Sequence, residues 1–120
     1  MLFVRRAQEP GKGKLGLPGG FIDFDETAEA AVRREVREEL GIEVGPLSYL
    51  CSFTNKYLYL EVTYQVLDFF FRAEINPAAE PAALDGVQSL EWLDPNLISN
   101  DEIAFVSVRA ALQFYVQAAG

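Results

Sequence analysis

Glu35, Glu38 and Glu39 are the residues whose types and spacing most directly suggest chemistry. At 100° per residue on a helix they fall within an arc of about 100°. Glu35 is an i, i+4 neighbour of Glu39 and an i, i+3 neighbour of Glu38, so their like charges repel unless a counterion intervenes. Three carboxylates can hold Mg²⁺ and leave positions for water and phosphate oxygens. The plainer reading is a solvated acidic face paired with the interleaved Arg33, Arg34 and Arg37. Both readings stand on these residues alone.

Composition narrows the choice. The chain has 120 residues, a net charge of −8, no histidine and one cysteine, Cys51. An intrachain disulfide and a Cys/His zinc site are excluded, and a metal site would be built from oxygens. Proton transfer near neutral pH would fall to carboxylates, Lys, Tyr or water. The acidic balance argues against a generally basic nucleic-acid binder. No apolar run is long enough to cross a bilayer, and Met1–Arg6 is too short for a signal peptide, so a cytoplasmic protein is expected. The charges are nonetheless segregated. Arg5, Arg6, Lys12 and Lys14 lie in the first fourteen residues, and eight acids lie between Asp23 and Glu43. A basic patch beside an acidic one suits an anionic substrate carried with divalent cations.

The elements that would position these residues are legible in outline. Leu2–Ala7 reads as a strand, Glu9–Gly20 as a Gly- and Pro-rich loop, and Phe21-Ile22 as a short strand. Ala28, Val32, Val36 and Leu40 form one apolar stripe, which predicts a helix over 27–40. Thr27 is placed as its N-cap and Gly41 as its left-handed C-terminal cap. Leu47–Thr54 reads as a strand, and Leu58–Ile75 as a long strand or a hairpin without a clear turn. Phe69-Phe70-Phe71 cannot alternate between faces, which predicts cover on both sides. Val87–Leu93 is a further strand. Ser99-Asn100-Asp101-Glu102 matches a capping box and predicts a second helix over 100–117. The order implies a mixed sheet with helices packed on it, in one domain spanning 1–120.

Gly20 to Ile42 resembles the Nudix box, the signature of the Nudix hydrolases, with the pattern G-x5-E-x7-R-E-U-x-E-E-x-G-U. Gly20, Glu26, Arg34, Glu35, Val36, Glu38, Glu39, Gly41 and Ile42 fill it without departure. Seven fixed residues agree by chance about once in ten million sequences at average composition. Leu17-Pro18-Gly19-Gly20-Phe21 resembles the family's lead-in, and Cys51–Tyr57 with the aromatic strand after it resembles a bacterial group related to NADH and ADP-ribose pyrophosphatases. The resemblance implies an α+β fold, an α/β/α sandwich in which the box helix and a C-terminal helix pack on a mixed sheet. The family's usual first strand has no counterpart before Leu2, so the edge of the Leu2–Ala7 strand is expected to be open.

The resemblance also implies roles. Glu35, Glu38 and Glu39 with the Gly19 carbonyl would hold Mg²⁺ or Mn²⁺, and Glu38 or Glu39 would activate water. Arg34 is grouped with the catalytic residues, although its preferred role is an ion pair with Glu26 that joins loop to helix. Glu26 and Gly41 are structural. Arg5, Arg6, Lys12, Lys14, Gly20 and Tyr57 are candidates for substrate contact, while Phe53, Tyr59 and Tyr64 could stack on a base but are more naturally core. Cys51 reads as a core residue. The expected reaction is hydrolysis of a nucleoside diphosphate linked to another moiety, such as an ADP-ribose-like compound or a dinucleotide, with no nucleic-acid polymer or membrane as partner. The alternative is a nucleotide-binding or regulatory module with little hydrolysis. A homodimer is expected, because nine Phe, five Tyr and one Trp are much apolar surface for a chain this short.

Overall fold

In the computed structural model, which describes residues 1–119, β1 (Leu2–Arg6) is the strand about which the other elements are ordered. Gly120, the last residue of the expected domain, lies outside the described residues. β1 pairs antiparallel with β2 (Leu15–Gly16) on one side and with β5 (Val87–Trp92) on the other. It is therefore the centre of a three-stranded sheet, and the expectation of an open edge at Leu2–Ala7 is overturned.

Alternation along β1 creates two cores. Leu2 and Val4 pack with Val36 and Leu40 of helix α1 (Ala28–Leu40) and with Ile42 and Val87. Phe3, on the opposite face, is fully buried with Leu15, Ile103, and Val108 and Leu112 of helix α2 (Val106–Ala119). A helix thus covers each face of this sheet, the expected α/β/α sandwich. The pairings between strands are antiparallel, and the parallel component is a single bridge between Leu15 and Ile103.

A hairpin of β3 (Ser48–Tyr59) and β4 (Val62–Arg72) forms a second sheet. Its turn is Leu60-Glu61, with φ of 49° and 66°. Both values belong to the left-handed region that two-residue hairpin turns use, though Gly or Asn would occupy it at less cost. Helix α2 lies against β3, and the buried Ser107 Oγ donates to Asp68 Oδ2 of β4 at 2.6 Å. Phe70 joins the α2 core, but Phe69 is 43% exposed, so the aromatic run is not covered on both faces.

Two further expectations give way. Phe21-Ile22 is not a strand: Arg34 Nη2 donates to Phe21 O at 3.0 Å, and the residue that follows the pair, Asp23, donates its N–H to Glu26 Oε1 at 3.0 Å. The second helix begins at Val106. Ser99–Glu102 instead forms a single 3-10 turn, with the Ser99 hydroxyl turned to the Asp101 carboxylate and making no cap bond.

Candidate active site

Helix α1 presents the site, and both its ends are fixed. Thr27 Oγ1 accepts from Ala30 N at 3.1 Å, and Gly41, at φ 70°, donates its N–H to Arg37 O. Ala82 N and Leu84 N donate to the free carbonyls of Leu40 and Glu39, both at 2.9 Å, so the segment before β5 closes the C-terminal turn.

Arg34 is a hub. Its Nε and Nη2 bond both oxygens of Glu26 at 2.8 and 2.9 Å, and its Nη1 donates to Glu35 at 2.8 Å and to Glu38 at 3.1 Å. The paired Arg34 contacts, helped by the Asp23 N–H, lower the Glu26 pKa to about 2. The same hydrogen bonds raise that of Arg34 further above its ordinary value. The ion pair ties the Asp23–Glu26 turn to the helix.

The lead-in glycines meet the acids. Gly19 N donates to Glu39 Oε1 at 3.0 Å. A Cβ on Gly20 would lie 2.7 Å from the Glu35 carboxyl, so a side chain there would push that carboxyl aside. Glu39 has a pKa raised to about 7: burial is the largest cause, the Glu35 and Asp85 charges add to it, and the Gly19 N–H and the Arg6 charge oppose it. Glu38 is turned to Arg34 and is half exposed. Among the described residues no three acidic side chains converge closely enough to hold an ion as they stand. The positive charge beside Glu35 and Glu38 is that of Arg34, whose Nη1 donates to both.

In donor chemistry these residues suit a divalent cation, although among the described residues the acids are not gathered into a ready site. The side-chain donors are carboxylate oxygens, the kind that Mg²⁺ and Mn²⁺ take, and at Gly19 it is the N–H that meets Glu39. A half-buried Glu39 beside Glu35 is a charge arrangement that such an ion relieves, and the bare Gly20 lets the Glu35 carboxyl pack against the turn.

The remaining candidates divide. Arg6 lies near enough to Glu39 to act on its charge, with its guanidinium 4.8 Å over the Phe105 ring. Arg5 is engaged with Glu91 of β5 and donates to Gly13 O. Lys12 and Lys14 are exposed on the loop. Tyr57 packs edge-on to Phe21, with centroids 5.1 Å apart, and lies 6.2 Å from Phe105. Tyr59 and Tyr64 are exposed, and Cys51 is buried with its thiol pKa pushed up by that burial. Phe105, Asp85 and Asn55 escaped the sequence reading. The first two reach the site from distant segments, but Asn55 had a signal, as an amide on the inward face of an apolar strand.

The NUDIX domain family matches residues 1–112, and the chain belongs to it. An ADP-ribose pyrophosphatase of Methanocaldococcus jannaschii is 48% identical over 42 residues, 35% of this chain and 25% of that protein. A MutT-like protein of Streptomyces ambofaciens is 31% identical over 109 residues, 91% of this chain and 64% of that protein. The chain thus spans between a quarter and two thirds of the length of these relatives. The NUDIX domain of Shewanella oneidensis NrtR, solved as a complex with ADP ribose, superposes with a TM-score of 0.73 at 21% identity, covering 99% of this chain and 77% of that one. That last likeness is one of fold.

Proposed function

We propose that the chain is a Mg²⁺- or Mn²⁺-dependent pyrophosphohydrolase. It cleaves a nucleoside diphosphate linked to another moiety, with ADP-ribose-like compounds and dinucleotides favoured over nucleoside triphosphates. The observation that carries this reading is the meeting of Glu35 and Glu39 with the Gly19-Gly20 turn inside a complete box. The names of the archaeal relative and of the Shewanella complex support the substrate class.

Glu35, Glu38, Glu39 and the Gly19 carbonyl would hold the cation. When bound, it neutralises diphosphate charge and makes water more acidic. Arg6 binds the diphosphate from the β1 side. Water attacks phosphorus, its oxygen forming the new P–O bond as the bridging P–O bond breaks in line and the second phosphate leaves. The carboxylate of Glu38 or Glu39 accepts the proton that the water releases. Arg34 acts by positioning, holding Glu35, Glu38 and the Asp23–Glu26 turn together. The protein works in the cytoplasm as a homodimer.

A second reading, a nucleotide-binding module with little turnover, draws on the engagement of Glu35 and Glu38 by Arg34. A screen of nucleoside diphosphate derivatives with Mg²⁺ and Mn²⁺, detecting released AMP, separates the two. Hydrolysis supports the enzyme, and binding without turnover supports the module.

A further inference from the structure

Asn55 is a polar residue that the proposed reaction does not use. It sits in β3 opposite Val66, is only 7% exposed, and takes part in none of the side-chain hydrogen bonds among the described residues. A carboxamide has two N–H donors and an acceptor oxygen, and those of Asn55 keep some exposure, since the buried side-chain atom without a partner among the described residues is Arg109 Nε. Asn55 lines an open cleft of about 450 Å³ together with Pro10, Lys56, Gln65, Ala104 and Phe105. That volume suits a small-molecule group.

The cleft adjoins the diphosphate end of the site. Arg6 donates from Nε to Pro10 O at 2.6 Å and lies over Phe105, so the cation that acts on Glu39 is also held against two residues of the cleft. Tyr57, on the same face of β3 as Asn55, contacts Phe21 beside Gly20 and approaches Phe105. Arg6 is thus shared between the surroundings of Glu39 and the wall of the cleft.

We propose that this cleft receives the nucleobase and that Asn55 selects adenine, pairing with the N6 donor and N7 acceptor of its edge. The proposal rests on the pyrophosphatase reading and deepens it. A carboxamide matches that donor–acceptor pair with two hydrogen bonds, whereas guanine presents two acceptors, O6 and N7, at the same edge. The amide oxygen would then be left without a donor.

The test compares ADP-glucose with GDP-glucose, which share a sugar, for the wild type and Asn55→Leu in Mg²⁺. The wild type is expected to favour ADP-glucose in kcat/KM by about tenfold or more. Asn55→Leu is expected to bring the two kcat/KM values together, mainly through a higher KM for ADP-glucose. An unaltered ratio in the folded variant overturns the proposal. A second readout needs neither turnover nor a variant. The side-chain amide signals of Asn55 are followed by nitrogen–proton NMR as AMP or GMP is added in Mg²⁺. A larger shift with AMP supports the proposal. Static Asn55 signals, while the Gly19 and Gly20 amides move, overturn it. Absence of turnover by the wild type would defeat the hydrolase reading, and the NMR result would still decide the role of Asn55.

Discussion

Glu39 and Glu26 lie in one site, yet they carry opposite electrostatic signs. Burial raises the Glu39 pKa from 4.5 to about 7, so the folded metal-free protein holds a proton that the unfolded chain releases. The stability this group contributes is complete below about pH 4.5 and is lost as pH rises through about 7. Glu26, lowered to about 2 by Arg34, contributes stability above pH 4.5 that is lost as pH falls toward 2. Thermal melts of the metal-free protein separate the two. Glu39→Gln should shrink the loss of melting temperature between pH 5 and pH 8, and Glu26→Gln should shrink the loss between pH 5 and pH 3. Activity should divide differently. Glu39→Gln and Glu35→Gln are expected to lower kcat/KM about a hundredfold or more with the fold retained, since each removes charge from the cation site at nearly constant shape. Glu26→Gln should lower the melting temperature while kcat of the remaining folded protein stays within a few-fold. Near-normal turnover by either Glu35 or Glu39 variant would refute their assignment.

Helix α1 was legible because every local signal agreed: the stripe Val32, Val36 and Leu40, the cap Thr27 and the stop Gly41. Loss of the cap in Thr27→Ala should cost about 1 kcal/mol, measured by denaturant unfolding. The charge pairing of Glu26 with Arg34 was legible for the same reason, as both lie within the box. The hairpin was not. Leu60 and Glu61 adopt positive φ without the Asn or Gly that would announce a turn, so nothing local divided Leu58–Ile75. Replacing the pair by Asn-Gly should raise stability by about 1 kcal/mol or more, read in the same unfolding experiment. Helix α2 begins at Val106, later than the capping pattern of Ser99-Asn100-Asp101-Glu102 announces, because that pattern forms a 3-10 turn. Asp85 near Glu39, and Leu84 on its carbonyl, are brought in by the tertiary fold, and no spacing along the sequence could reveal them.

For the molecule as a whole, Trp92 is exposed beside Leu2 of β1, and much of the apolar surplus expected from composition lies on the hairpin. Tyr49, Leu58, Tyr59, Leu60, Val62, Tyr64, Leu67 and Phe69 are all exposed there. Leu58, Leu67 and Phe69 share one face of the hairpin, a natural surface for a second copy. Light scattering at micromolar concentration should give twice the 13.4 kDa chain mass, and a monomer mass would defeat the proposed homodimer. No helix among the described residues is long and apolar enough to cross a membrane. The central claim, that the box acids with a divalent cation cleave a nucleoside diphosphate bond, is tested most directly by phosphorus NMR of ADP-ribose incubated with the protein and Mg²⁺ or Mn²⁺. The account predicts loss of the diphosphate signals and growth of two phosphomonoester signals, AMP and ribose 5-phosphate. Chelation should stop this change, and Glu35→Gln should all but abolish it. A diphosphate spectrum that stays unchanged with the wild type and either metal, or one that decays equally with Glu35→Gln, would contradict the account.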